Sequence, residues 1–140
     1  MRSESGLPET LAAFERVVEA AREAVKPALE KSGEEMANAM RFAAMPSRAT
    51  GKLIESIAVT LPGETTPPYS QPGGSRVAGP FEAIVTAGNK DVRYAHLVEY
   101  GTSKAEAQPY FWPVYRLLKA RATRRITRAI NKSIKEAFDA

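Results

Sequence analysis

The chain has a single histidine, His96, with Asp91, Glu99 and Ser103 close to it in sequence. A serine, a histidine and a carboxylate can form a nucleophilic triad, the imidazole taking the hydroxyl proton while the acid fixes its tautomer. Here the histidine would have to recruit both partners from one short stretch, so a histidine satisfied within the fold is the reading adopted. His96 and Glu99, at i and i+3, also make half of a metal site. Completing it would take further nitrogen or sulfur ligands, and the chain has neither a second histidine nor any cysteine. The lack of cysteine also removes a thiol nucleophile and a disulfide framework, and it is compatible with a reducing cytoplasm.

Pro72-Gly73-Gly74-Ser75-Arg76 is glycine-rich but lacks the glycine-lysine-hydroxyl element of a phosphate loop. The carboxylates from Glu9 to Glu35 alternate with Arg16, Arg22, Lys26 and Lys31 at spacings such as Glu23 to Lys26, the pattern of a solvated helix face. No enzyme activity, cofactor or metal is expected.

The strongest chemical character lies near the end. Between Arg116 and Lys135 there are eight basic residues and no acidic one. On a helix, Arg121, Arg124, Arg125, Arg128, Lys132 and Lys135 fall within an arc of roughly 100° opposite the apolar stripe. Such a row can bind phosphate backbones by counterion release, line the surface of an anionic partner, or simply be solvated. No helix-turn-helix or zinc-finger pattern places side chains against base edges, and the apolar face is needed for a core, which disfavours membrane-surface binding.

These residues need elements to hold them. At 140 residues, 44% apolar and 26% charged, the chain has the make-up of one folded domain, residues 1–140, with residues 1–7 as a flexible N-terminus. The formal charge of +4 hides an asymmetry, −2 over residues 1–70 and +6 over residues 71–140. Neither a membrane span nor a signal-peptide core is apparent, so neither membrane insertion nor secretion is expected.

From Pro8 to Met45, apolar residues Leu11, Phe14, Val18, Val25, Leu29, Met36 and Met40 recur at helical spacing. Pro8 suits a helix start, Pro27 predicts a kinked helix or two helices, and Pro46 ends the run. Residues 52–61 and 81–87 read as two strands that pair antiparallel. Between them, residues 62–80 hold five of the ten prolines and four of the nine glycines. The expectation is an irregular segment, either a projecting arm ordered by a partner, with Pro67, Pro68, Tyr69 and Arg76 as its contact candidates, or a hairpin tip. Asp91 could cap a short helix that turns Tyr94, Leu97 and Val98 inward and stops at Gly101, although a third strand also fits. Tyr110-Phe111-Trp112 must find burial, and the final helix is expected over 113–138, its apolar stripe running from Leu118 to Phe138. Thr50-Gly51 and Gly101-Thr102 read as turn-setting pairs. The expected fold class is α+β, a small antiparallel sheet packed by a long N-terminal helix and a basic C-terminal one.

Three stretches form a recognisable series: Pro46 followed by Thr50-Gly51-Lys52-Leu53 and Ser56-Ile57; then Tyr94-Ala95 with Val98-Glu99-Tyr100-Gly101-Thr102; then Ala107-Gln108-Pro109-Tyr110 leading into a helix. In this order they resemble a family of small neck and tail-completion proteins of long-tailed bacteriophages and prophages, over about residues 8–138. The proline content of residues 62–80, Trp112 and the basic final helix depart from the pattern. The resemblance implies a non-enzymatic virion protein assembled in the bacterial host cytoplasm. Its copies would form a ring, expected as a hexamer, between head connector and tail tube, joining head to tail or terminating the tail. The implied partners are further copies of itself, neck and connector proteins, the tail tube protein, and DNA passing non-specifically through the lumen. Thr50, Gly51, Tyr94, Glu99, Gly101, Thr102 and Pro109 would be its structural motif residues.

Overall fold

A computed structural model describes residues 2–45, 51–103 and 106–139. The element order is α1 (Arg2–Ala44), α2 (Gly51–Glu55), β1 (Ala58–Thr60), β2 (Ile84–Thr86), α3 (Ala95–Tyr100) and α4 (Trp112–Asp139). The fold is α+β: a two-stranded antiparallel sheet, a long N-terminal helix, and a C-terminal helix packed against the first.

α1 is one uninterrupted helix. It already includes residues 2–7, and Pro8 lies inside it instead of starting it. Pro27 also lies inside, where it removes the amide that would bond the Glu23 carbonyl, at a cost of about 3 kcal/mol. Val25, Ala28 and Leu29 flank that position and are all buried. Burying a Val or Leu side chain is worth roughly 1.5–3 kcal/mol, enough to carry the helix through. As expected, the helix ends just before Pro46.

The strand expected over 52–61 divides. Leu53, Ser56 and Ile57 are buried at i, i+3 and i+4, and the Ser56 amide bonds the Lys52 carbonyl at 3.0 Å, so residues 51–55 are helical. A helical period had been overlaid by the alternation that starts at Ile57. The strand proper is Ala58–Thr60, and its register against β2 sets Ala58 opposite Thr86, Val59 opposite Val85 and Thr60 opposite Ile84. Thr60 is buried, whereas Val59 is only half-buried against the core. The antiparallel pairing is as expected.

Residues 62–80 double back along the sheet. Gly63 N–H donates to the Ala78 carbonyl, Ala78 N–H to Glu64, and Thr66 N–H to Arg76, each at 2.9 Å, while Gln71 and Ala87 exchange both of their bonds, also at 2.9 Å. Thr66, Ser70 and Ala78 are buried. Short bridges therefore form where no regular structure was expected.

Around α3, Tyr94 and Val98 pack half-buried against the core as expected, beside buried Ala95 and Glu99, whereas Leu97 is exposed. Asp91 does not cap this helix. Instead the Asn89 side-chain oxygen accepts the amides of Asp91 and Val92 at 2.9 and 3.0 Å, an Asx turn that precedes it. Gly101 ends α3 with φ 78°, as its position suggested.

The core lies where the C-terminal half of α1 meets α2, the sheet, α3 and the start of α4. Met40, Leu53, Ile57, Val92 and Tyr110 are at its centre, each no more than 1% exposed. Tyr110, Phe111, Trp112 and Tyr115 follow one another edge to face with ring centroids 5.2–6.4 Å apart, the favoured geometry for aromatic pairs.

Candidate functional site

Of the pieces that suggested catalysis, Glu99 takes a structural role, whereas His96 lies on the surface instead of being satisfied within the fold. His96 is exposed on α3, and among the described residues no hydrogen bond joins it to Asp91, Glu99 or Ser103. No cluster of three or more metal-ligating side chains occurs among the described residues. Glu99 is 6% exposed and is committed to the start of α4. One carboxylate oxygen accepts the Tyr110 and Phe111 amides at 2.9 and 2.6 Å, and the other accepts the Trp112 amide at 3.4 Å. The first amides of a helix have no partner within it and carry partial positive charge, so a buried carboxylate from another element is a strong cap. Burial, with the charge of Glu99 adding, pushes the neighbouring Tyr110 hydroxyl above its ordinary value; it stays protonated and donates to the Ala95 carbonyl at 3.1 Å.

The cationic row of α4 is not one uniform face. Arg125 turns inward, 19% exposed, and its guanidinium donates to the Ser32 hydroxyl and the Glu35 carboxylate, both at 3.1 Å. Arg121 reaches the same carboxylate at 3.2 Å. These two cations therefore tie α4 to α1. Lys132 sits 3.9 Å from Glu136 on its own helix. Arg124, Arg128 and Lys135 are exposed with no ion-pair partner among the described residues, and together with Thr127, Asn131 and Lys132 they make a straight basic strip.

In the segment 62–80, Pro67 is half-buried, and Pro68 and Tyr69 are exposed. The Tyr69 ring carries the Arg93 guanidinium 3.9 Å above its centroid, a cation–π contact. Arg76 pairs with Glu82 at 3.1 Å. The Gly79 amide bonded to Glu82 outweighs the effect of burial, and with help from Arg76 it holds that carboxyl below its ordinary value of 4.5.

Of the motif residues, Tyr94 precedes α3, and its carbonyl accepts the Leu97 amide at 2.9 Å. Thr102 and Pro109 are exposed. Gly51 opens α2, with open space around it. Thr50 lies outside the described residues.

Two features escaped the sequence reading. A groove of about 500 Å³ lies between the α1–α4 pair and the segment preceding β2, with a mainly apolar lining that includes Met36, Phe81, Trp112, Tyr115 and Ile126. And the N-terminal part of α1 is left uncovered by the described residues: Leu7, Leu11 and Phe14 are 57%, 52% and 65% exposed. Helical periodicity made Leu11 and Phe14 look like core, because the pattern shows that a face is apolar without showing what covers it.

No helix among the described residues is long and apolar enough to cross a membrane. No curated protein and no solved structure matches the chain. One family model matches residues 9–101, and its family is described as "Bacteriophage HK97-gp10, putative tail-component". The match takes in the first of the three motif stretches and all of the second but Thr102, and Ala107–Tyr110 and α4 lie beyond it. It spans most of the chain, through α1, the sheet and α3, and the protein therefore belongs to the HK97-gp10-like family of bacteriophage tail components.

Proposed function

We propose that the protein is a ring-forming neck or tail-completion component of the virion that joins the head connector to the tail tube, with further copies of itself, neck proteins and the tube protein as its partners. The observation that carries this reading is the family match over residues 9–101. It is supported by the way the candidate catalytic side chains are used: Glu99 is fully occupied as a helix cap, and His96 stands apart on the surface. The exposed Pro68-Tyr69 tip and Arg76 are candidate contacts with a neighbour. Because Thr66, Ser70 and Ala78 are buried, exchanging exposed residues tests the segment more cleanly than deleting it. The primary test is electron microscopy of particles made with and without the gene. Unjoined heads and tails, or tails of uncontrolled length, are expected in its absence; normally joined particles overturn the proposal.

A second reading, non-specific DNA binding, is favoured by the strip of Arg124, Arg128, Lys132 and Lys135. With Arg121 and Arg125 held by Glu35, at most four cations are free to release counterions. The logarithm of duplex affinity should then fall against the logarithm of salt with a slope of about −3 to −4, against about −5 for all six. Absence of binding at low salt removes this reading.

A further inference from the structure

α4 runs back along α1: its first residues pack near Met36 and Met40, and Arg121 and Arg125 reach Ser32 and Glu35. Continued at equal rise in both helices, this pairing brings the end of α4 level with about residue 18 of α1. Burial agrees, because Ala21 is the first buried residue of α1 among the described side chains. The turns that precede it project beyond the helix pair.

The projecting end is not uniformly polar. Leu7, Leu11 and Phe14, with half-buried Val18 behind them, fall within an arc of about 60°. Glu15 borders this row and has no ion-pair partner among the described residues, whereas Arg16 lies on the opposite side of the helix. Exposed apolar side chains in a continuous row are an interaction surface more often than isolated ones are.

Elsewhere on the same chain is a mainly apolar groove of about 500 Å³ whose lining includes Leu29, Met36 and Ile126; its charged members are the Arg76–Glu82 pair and Lys119, a cation 5.7 Å from the Tyr115 ring and without an acidic partner among the described residues. The row and the groove match in character: both are mainly apolar, with an unpaired acid, Glu15, beside the row and an unpaired cation, Lys119, in the groove lining. They cannot meet within one chain. Leu11 and Leu29 belong to one continuous helix and are separated along it by about 27 Å.

We infer that the projecting N-terminal turns of α1 from one copy dock, through Leu7, Leu11 and Phe14, into the α1–α4 groove of the next copy. The two surfaces differ, so the contact is head to tail. Each copy offers a row to one neighbour and a groove to another, and repetition gives a ring if the rotation closes. This inference rests on the proposed self-assembling role and names the surfaces that would carry it.

Sedimentation velocity over a concentration series tests it, with two variants. Leu11→Asp/Phe14→Asp spoils the row and Lys119→Glu/Thr123→Glu the groove. All four positions are exposed, so circular dichroism should show wild-type folding. The wild type should associate as concentration rises, and each variant alone should weaken association by about tenfold or more. Mixed, the two variants should form a heterodimer and stop there, because each still carries one intact surface. A wild type that stays monomeric, a variant that associates as the wild type does, or a mixture that stays monomeric overturns the inference. None of these outcomes changes the particle phenotype of the gene deletion, so the proposed function and this interface can fail separately.

Discussion

Glu99→Ala should lower the free energy of unfolding by about 3–5 kcal/mol, the largest effect expected of any single charged residue here. The carboxylate is buried and accepts three consecutive backbone amides at the start of α4, two of them on the buried residues Tyr110 and Phe111. Alanine leaves those donors facing an apolar interior with nothing to accept them, and an unmade buried hydrogen bond costs more than a made one contributes. In a domain of this size the melting temperature should fall by about 10 °C or more. Glu99→Gln keeps one oxygen acceptor and should fall between wild type and alanine, at about 1.5–3 kcal/mol. Glu106→Ala, at an exposed carboxylate, should change stability by no more than about 0.5 kcal/mol. Chemical denaturation gives all three values, and Trp112, the only tryptophan, reports locally: its emission should shift to the red in Glu99→Ala as the first turn of α4 frays. An alanine variant as stable as the Glu106 control would show that the cap contributes nothing.

That cap also shows how far the sequence could be read. Val98-Glu99-Tyr100-Gly101-Thr102 and Pro109-Tyr110 stand out as two separate motifs, and local rules offer Glu99 only as a triad acid or half a metal site. The structure joins the two motifs, since the glutamate of one holds the amides of the other. Nothing in local periodicity reports such a bond, because it is made between backbone groups and a side chain on a different element. The long helices, the antiparallel pairing, the stop at Gly101 and the burial of Tyr110 and Phe111 were legible because propensity, period and turn chemistry agree there. α2 was not, because the alternation of Ile57, Val59 and Leu61 masks the i, i+3, i+4 spacing of Leu53, Ser56 and Ile57. The cationic row was half legible. Glu35, some ninety residues away in sequence, turns Arg125 inward and with it takes Arg121 out of the row. The groove was not legible at all, being a space between elements that only their packing defines.

Gly88→Ala should cost about 2–4 kcal/mol, and comparison with two other glycines separates its causes. Gly88 has φ 88°, and a Cβ there would stand 2.8 Å from the Val92 carbonyl oxygen, a backbone atom that accepts the Asn89 amide at 3.0 Å. Gly73 has φ 84° with open space around it, so Gly73→Ala measures the left-handed strain alone, about 1–2 kcal/mol. Gly33 has the reverse combination. It is helical, but an added Cβ would come within 2.6 Å of a Val59 methyl on β1. Alanine there gains up to about 1 kcal/mol of helix propensity against an overpacking cost of about 1–3 kcal/mol, so its net cost should stay below about 2 kcal/mol. Removing the obstacle in Gly33→Ala/Val59→Ala should recover the steric part, whereas no side-chain change can relieve Gly88, whose wall is backbone. Denaturant titration of the four variants should therefore rank Gly88→Ala as the most damaging single change of the three. If Gly88→Ala instead matched Gly73→Ala, the loop between β2 and α3 would have to yield at Val92, and α3, which carries Glu99 to the start of α4, would not be held from that side.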